Sequence, residues 1–286
     1  MTGRAGRLYV IATPIGNLGD LSPRAVETLQ RVALIAAEDT RRTGQLLAHC
    51  GISRPMMSLH EHNESERVDV LLERLRAGEE LGLVSDAGTP LLSDPGRLLV
   101  RAAIDAGIEV IAVPGPSALT AALSIAGLDA RRFVFEGFLP ARGSERRARL
   151  EALRDEPRTL VFFEAPHRIA ETLADLQSAF GAARPAALAR ELTKLHEQVH
   201  RGTLAGLLEQ HAADANLARG ELVLLVAGAP PAAAAPSGDR ELLRRCLPLL
   251  LKELPPTRAA AIAARLTGVP RDEIYAQLHA DAPTHQ

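Results

Sequence analysis

The segment LGLVSDAGTPLLSDPG, residues 81–96, is the most informative part of the chain because it joins an apolar strand directly to a loop rich in glycine and proline. Gly88 has no Cβ, so it can adopt a positive φ and let a ligand approach the main chain. Asp94 and Pro95 are typical of a helix start and predict a helix over 96–106. We interpret the segment as strand, ligand-facing loop and helix, although an ordinary strand-to-helix connection has a similar composition.

A second loop of the same kind follows at once. The apolar strand in GIEVIAVPGP, residues 107–116, ends in Pro-Gly-Pro, and Ser117 then occupies the N-cap position of a predicted helix over 118–126. Two neighbouring strand ends would thus offer bare backbone and a hydroxyl group to one crevice.

The first part of the chain alternates between short apolar strands and helices. Strands are predicted at 8–12, 32–37, 56–59, 81–85 and 108–113, and further helices start at Ser22 and Pro23 and cover 43–50 and 64–77. This order predicts an α/β domain, residues 1–115, with a mostly parallel sheet.

A second α/β domain is predicted over 116–229. Its strands are expected at 133–138, 159–163, 186–190, 199–202 and 221–227, and its helices at 144–153, 167–180 and 204–211. Consecutive strands without an intervening helix, as over 186–202, indicate antiparallel pairing. We expect the two domains, joined near 114–116, to enclose a ligand cleft.

After the second domain the composition changes sharply. Residues 230–238 are rich in proline, alanine and serine and are interpreted as a linker. The tail, residues 239–286, predicts three helices, at 239–253, 257–266 and 271–278, the last two joined as in a helix-turn-helix unit. A small packing module explains the same pattern equally well.

Composition excludes several classes of protein. The chain has 286 residues, 47% of them apolar, yet no apolar run is long enough to span a membrane, and the first residues lead into a strand and not into a signal sequence. Two distant cysteines, Cys50 and Cys246, argue against a disulfide framework, so we expect a cytoplasmic protein. Neither a P-loop nor a dinucleotide fingerprint is present. The net charge of −2 argues against nonspecific coating of nucleic acid but permits a local basic face.

Several longer motifs resemble one known family. They are LYVIATPIGNLGDLSPRA (residues 8–25), EDTRR (38–42), SDAGTPLLSDPG (85–96), VPGPSAL (113–119), LVFFEAPHR (160–168) and ARELTKLHEQVHRG (189–202). Together they resemble the tetrapyrrole-methylase superfamily and, within it, the branch called ribosomal RNA small subunit methyltransferase I. The resemblance covers about residues 7–230. It implies two α/β domains with a cofactor cleft between them, S-adenosylmethionine as the cofactor, and a homodimer.

The resemblance also assigns ten residues to the cofactor pocket: Pro14, Ala87, Gly88, Thr89, Leu92, Ser117, Ala118, Phe163, Glu164 and Leu192. Most are small or apolar, so binding would rely largely on the main chain. The chain has Gly-Thr-Pro at 88–90 where the porphyrin-modifying members have Gly-Asp-Pro. Asp86 or Asp94 could supply the missing carboxylate.

A ribose 2′-hydroxyl is a poor nucleophile while protonated, so a base or a cation must assist its methylation. Polar clusters follow the second and third strands, at 38–42 and 60–64, and from them we predict Asp39, His60 and Glu61 as catalytic residues. His167, Lys194 and His196 are the alternatives. His60 and His62 alone are weak evidence for a metal, so no metal site is predicted.

Arginines supply the predicted basic face, because guanidinium groups bind phosphates by charge and by paired donors. The predicted RNA contacts are Arg41, Arg42, Arg142, Arg146, Arg147, Arg149 and Arg168. A solvated helix surface is the alternative for any one of them. With 3% aromatic residues and no tryptophan, the chain would recognise RNA mostly by shape, sugar and phosphate.

Three functions fit these features. The first is S-adenosylmethionine-dependent 2′-O-methylation of a decoding-site cytidine in 16S ribosomal RNA, on naked RNA or on the 30S subunit, which the branch resemblance implies. The second is C- or N-methylation of a tetrapyrrole. The third is a ligand-sensing α/β module attached to a helix-turn-helix regulator, without enzymatic activity.

Overall fold

The computed structural model of the chain describes residues 5–214, 219–230 and 239–280. The chain divides into two compact units, with the boundary between Ala229 and Pro230. The described part of the first unit contains two five-stranded sheets with helices, and that of the second contains three helices. The predicted α/β architecture with a helical C-terminal module is thereby confirmed.

Five parallel strands form the first sheet: β1 (Arg7–Ile11), β2 (Leu34–Ala37), β3 (Met56–Ser58), β4 (Leu81–Val84) and β5 (Glu109–Val113). Their order across the sheet is β3-β2-β4-β1-β5. An α-helix follows each of these strands along the chain: α1 (Pro23–Arg31), α2 (Thr40–His49), α3 (Glu64–Arg76), α4 (Arg97–Asp105) and α5 (Ala118–Ile125).

Helices cover both faces of this sheet, which is why its central strands are apolar throughout. Every residue of β2 and β4 is buried. Alternate side chains of a strand point to opposite faces of the sheet. Leu8 packs in one core with Leu71 and Leu99, whereas Tyr9 packs in another with Leu29. The carboxyl ends of the parallel strands therefore meet at one edge, where the loops gather.

The second sheet contains β6 (Phe133–Phe138), β7 (Thr159–Glu164), β8 (Pro185–Arg190), β9 (Gln198–Thr203) and β10 (Leu222–Val226) in the order β6-β7-β10-β8-β9. Only β6 and β7 are parallel, and β10 runs antiparallel between β7 and β8. The antiparallel pairing expected for β8 and β9 is confirmed. Its helices are α6 (Gly143–Ala152), α7 (Ile169–Phe180) and α8 (Leu204–Ala213), which enclose a core centred on Phe162.

The start of α4 differs from the prediction. Asp94 does not cap it: the N-cap is Gly96, which has no side chain to accept a hydrogen bond. Instead the buried carboxylate of Glu64 accepts the backbone N–H groups of Gly96 (3.1 Å), Leu98 (2.7 Å) and Leu99 (3.3 Å). An anion at a helix N-terminus is favourable, and here it comes from another helix. The carboxylate of Asp94 is consequently left for the neighbouring cleft.

The second unit is built from α9 (Arg240–Glu253), α10 (Pro256–Thr267) and α11 (Arg271–Ala280). Leu243, Ala260 and Ile274, one from each helix, meet in its core. Gly268 ends α10 in the left-handed conformation, as a turn between two helices requires. Residues 231–238 of the predicted linker and 281–286 of the predicted tail lie outside the described residues, and the predicted division at 115/116 stays a prediction. No helix of the described ranges is both long and apolar enough to cross a membrane.

Candidate functional site

A cleft of about 420 Å³ lies between the loops at the carboxyl edge of the first sheet and the second sheet. Eight of the ten predicted cofactor residues line it: Ala87, Gly88, Thr89, Leu92, Ser117, Ala118, Phe163 and Glu164. Pro14 lines an adjoining cavity of about 330 Å³, which shares Arg42, Asp86 and Ala87 with the cleft. Leu192 is buried behind them in the same apolar cluster as Ala118. The expected cleft between the two halves is present.

Gly88 holds two loops of the cleft together through its backbone. Its φ is +82°, as the sequence predicts, and it exchanges two hydrogen bonds with Thr13, at 2.9 and 3.0 Å. A Cβ on Gly88 would lie 3.2 Å from Ile15 Cγ2. The hydroxyl of Thr89 donates to the carbonyl of Pro116, so the loops after β1, β4 and β5 form one connected wall.

Ser117 occupies the N-cap position of α5 but does not act as a cap. Its side chain makes no hydrogen bond to the first turn, whereas its carbonyl accepts the hydroxyl of Thr120. The hydroxyl group of Ser117 therefore remains available to a ligand in the cleft that it lines.

The sequence did not point to an aromatic wall on the opposite side of the cleft. Phe138 is 54% exposed there and lies edge-to-face on Phe163, with ring centroids 5.7 Å apart. Strand β6 has a bulge between Phe135 and Gly137. Here the strand passes so close to the loop before α4 that a Cβ on Gly137 would lie 2.8 Å from Ser93 Oγ. The glycine inside a strand pattern was the available signal for this bulge.

Three carboxylates and one guanidinium line the cleft near its first-sheet loops. Asp86 accepts the N–H of Asp39 at 2.9 Å and pairs with Arg42 at 3.3 Å, and its own N–H donates to Glu38 at 3.2 Å. Burial, followed by the charges of Glu38 and Asp86, raises the pKa of Asp94 to about 6. Burial also raises the pKa of Glu38. Both carboxylates that could replace the missing Asp at position 89, Asp86 and Asp94, therefore face the cleft.

The predicted catalytic residues are not brought together at this cleft. Asp39 caps α2 and pairs with Arg41 at 2.8 Å, and hydrogen bonds from Arg41 hold the pKa of Asp39 well below its usual range. His60 and Glu61 do not line the cleft; the ring of His60 contacts the amide of Asn63 instead. The strand that would place His60 and His62 on one face ends at Ser58. None of the three lines the cleft, and their catalytic role stays a prediction.

One of the alternative catalytic candidates, Lys194, is engaged by other groups of the protein. Lys194 packs its stem against Gly16 and pairs with Glu191 at 2.9 Å and Glu221 at 3.3 Å, and it lines the adjoining cavity. Within the described ranges, no group of three or more His, Cys, Asp or Glu side chains could hold a metal ion.

Two of the predicted RNA contacts are corrected by burial. Arg146 is 3% exposed and binds Asp175 at 2.7 Å and Glu171 at 3.2 Å, so it fastens α6 to α7. Arg168 is partly buried, pairs with Glu164 and donates to the carbonyls of Leu139 and Pro140. Neither guanidinium is free for a phosphate. The exposed members of the predicted set are Arg41, Arg42, Arg142, Arg147 and Arg149.

Glu164 likewise has all its partners nearby in the region that contains the second sheet. Its carboxylate accepts the N–H of Ala165 and the hydroxyl of Thr172, and it pairs with Arg168 at 3.3 Å. It contributes to the wall of the cleft as a fixed, satisfied group.

Comparison with known families decides what kind of protein has this cleft. A family model described as Tetrapyrrole (Corrin/Porphyrin) Methylases matches residues 7–208, more than half of the chain. The chain belongs to the tetrapyrrole methylase family. A second model, described as the RsmI C-terminal HTH domain, matches residues 237–282 of this methylase, in agreement with the helix-turn-helix pattern of its tail.

Relatives of this tetrapyrrole methylase match nearly its whole length. It is 57% identical over 270 residues to a protein of Xylella fastidiosa (strain Temecula1), a match that covers 94% of this chain and 98% of that protein. It is 54% identical over 276 residues to a protein of Pseudomonas aeruginosa, covering 96% of each. Both relatives are named Ribosomal RNA small subunit methyltransferase I, the branch that the motifs resemble, so the predicted membership is confirmed.

Solved structures share the fold of the methylase region. The uroporphyrin-III C-methyltransferase from Thermus thermophilus, solved in complex with S-adenyl homocysteine, aligns with a TM-score of 0.54 at 20% identity. The alignment covers 78% of this chain and 97% of that chain. At this identity the likeness establishes the fold alone.

Proposed function

We propose that this methylase uses S-adenosylmethionine to methylate the 2′-hydroxyl of a decoding-site cytidine in 16S ribosomal RNA, in the cytoplasm. The observation that carries the proposal is the cleft, lined by eight residues that the family resemblance assigns to the cofactor. The names of the relatives at 57% and 54% identity support ribosomal RNA of the small subunit as the substrate.

The residues of the cleft fit S-adenosylmethionine. A volume of about 420 Å³ lies in the usual range for small-molecule pockets. The positive φ of Gly88 exposes bare backbone, Ser117 offers a hydroxyl, and Phe163 offers an apolar ring. The carboxylate of Asp86, which lines the same cleft, suits a cationic ligand. When bound, the cofactor supplies a methyl group on a positively charged sulfur, which an oxygen nucleophile can attack.

The exposed arginines are proposed as phosphate contacts, with Arg42 the one that reaches the cleft. Arg142, Arg147 and Arg149 lie on or directly before α6, which follows the β6 strand carrying Phe138. Phosphate contacts would orient the RNA, whereas the sugar must enter the cleft.

A methyl-transfer assay tests the proposed function. Purified protein is given tritiated S-adenosylmethionine and, in parallel, naked 16S RNA, assembled 30S subunits and a tetrapyrrole. We expect label in one of the two RNA samples, at a cytidine whose 3′-phosphodiester resists alkaline cleavage because its 2′-oxygen is methylated. Label in the tetrapyrrole alone, or on a base instead of a ribose, would contradict the proposal.

We also propose that the enzyme is a homodimer, which the family resemblance implies. Exposed apolar side chains on the first unit, among them Ile104 and Leu195, leave surface that a second copy could cover. We expect light scattering at micromolar concentration to give twice the 30.5 kDa mass of the chain. The mass of a single chain would exclude a stable dimer.

A further inference from the structure

The loop before α4 has an unusual backbone at the point where it borders the cleft. Leu91 and Ser93 adopt φ values of 77° and 71°, although neither is glycine. Such conformations are strained and are retained where the surroundings enforce them, often at functional sites. Here Glu64 fixes the end of the loop through the N–H of Gly96, and Ser93 abuts Gly137 of the second sheet. The loop thereby holds the side chain of Asp94 in the wall of the cleft.

Most acidic side chains of the cleft form ion pairs inside the protein. Asp86 pairs with Arg42, Glu164 with Arg168, and Glu221 with Lys194. Glu38 accepts the backbone N–H of Asp86. The two cations of the cleft and the adjoining cavity, Arg42 and Lys194, pair with Asp86 and with Glu191 and Glu221. Asp94 has no ion pair within the described ranges and is hydrogen-bonded to Ser85.

We propose that Asp94 is the proton acceptor of the reaction, taking the proton of the ribose hydroxyl that becomes methylated. This inference rests on the proposed function, because it requires an alcohol as the methyl acceptor. The O–H bond of the ribose breaks and its proton passes to a carboxylate oxygen of Asp94. The oxygen's electron pair forms the new bond to the methyl carbon while the carbon–sulfur bond breaks, and that bond's electron pair stays on sulfur.

The surroundings of Asp94 suit this role. Burial and the negative charges of Glu38 and Asp86 make the carboxylate more basic, raising its pKa to about 6. A base works best when its pKa lies near the working pH, since it is then both ionised and able to hold a proton. Asp39, by contrast, is held by Arg41 in the ionised form.

Three variants test the proposal on the RNA form that the wild type methylates. Asp94→Asn preserves size but cannot accept the proton, so we expect kcat to fall about a hundredfold or more, with KM for RNA and S-adenosylmethionine little changed. Asp94→Glu keeps a carboxylate and should recover part of the activity. Asp105→Asn, an exposed acid at the end of α4 that pairs with Arg101, is the matched control and should behave as the wild type.

Two further measurements do not depend on the activity of the variant. Infrared difference spectra of the wild type should show a carboxyl that titrates near pH 6 and disappears in Asp94→Asn. The kcat of the wild type should fall as the pH is lowered through the same midpoint, because protonated Asp94 cannot accept a proton. Calorimetric S-adenosylmethionine binding and thermal unfolding of Asp94→Asn check that the cleft is intact.

The outcomes separate the two proposals. If the wild type methylates RNA and folded Asp94→Asn does so at the same rate, or if the loss is entirely in KM, Asp94 is not the proton acceptor. If no carboxyl with this titration is lost in the variant, the proposal also fails. If the wild type transfers no methyl group to any RNA, the proposed function is wrong, and the role of Asp94 falls with it.

Discussion

Replacing Gly88 by valine is expected to weaken S-adenosylmethionine binding at least about a hundredfold. This factor corresponds to a loss of about 2.7 kcal/mol in binding free energy. The added side chain would project beside Ile15, at a point where the cleft wall is bare backbone. A β-branched residue also resists the φ of +82° that Gly88 adopts. Steric exclusion and displacement of the Thr13–Gly88 bridge therefore act together.

Gly107→Val is the matched control for this experiment. Gly107 follows α4, has a φ of +71° and has no atom within 4 Å of an added Cβ. The control therefore carries the same kind of backbone strain without touching the cleft. Calorimetric titration with S-adenosylmethionine should show binding by Gly107→Val and none by Gly88→Val, each checked for folding by circular dichroism. Undiminished binding by folded Gly88→Val would refute the cofactor assignment.

Arg146→Ala is expected to destabilise the first unit by about 3–5 kcal/mol, because it removes the closer and more deeply buried of the two guanidinium partners of the carboxylate of Asp175. Arg147 is the matched control: it is the next residue, 60% exposed, and 3.7 Å from the same Asp175. An exposed ion pair contributes little, so Arg147→Ala should cost less than about 1 kcal/mol. Urea denaturation of the two variants measures the difference.

The same pair separates folding from RNA contact. Arg147→Ala should weaken RNA binding and reduce the slope of log affinity against log salt by about one unit, as expected for one lost phosphate contact. Arg146→Ala, measured at a temperature where it is folded, should leave that slope unchanged. A stable Arg146→Ala protein with a reduced slope would restore Arg146 to the RNA-binding surface and contradict its buried role.

Local chemistry explains why the sequence was informative about the fold. The strand and helix pattern depends on the period of apolar residues, and the conformation of Gly88 depends on the absence of its own Cβ. Both are properties of neighbouring residues, so the parallel first sheet and the loop at Gly88 could be predicted. The cofactor residues of the cleft were assigned by the family motifs, which are long enough to be specific.

Long-range contacts decided the rest. Glu64 caps α4 from 32 positions away, and Asp175 lies 29 positions from Arg146, so sequence spacing could show neither contact. The residues around Asp94 and around Arg146 in the sequence would look the same whether these two side chains were buried or exposed. The α/β alternation, the bare backbone at Gly88 and the family follow from the sequence alone. The folded structure was needed to choose among the polar candidates: it left Asp94 in the cleft without an ion pair among the described residues, kept His60 outside the cleft and buried Arg146. Burial and ion pairing depend on what the folded chain brings alongside each side chain.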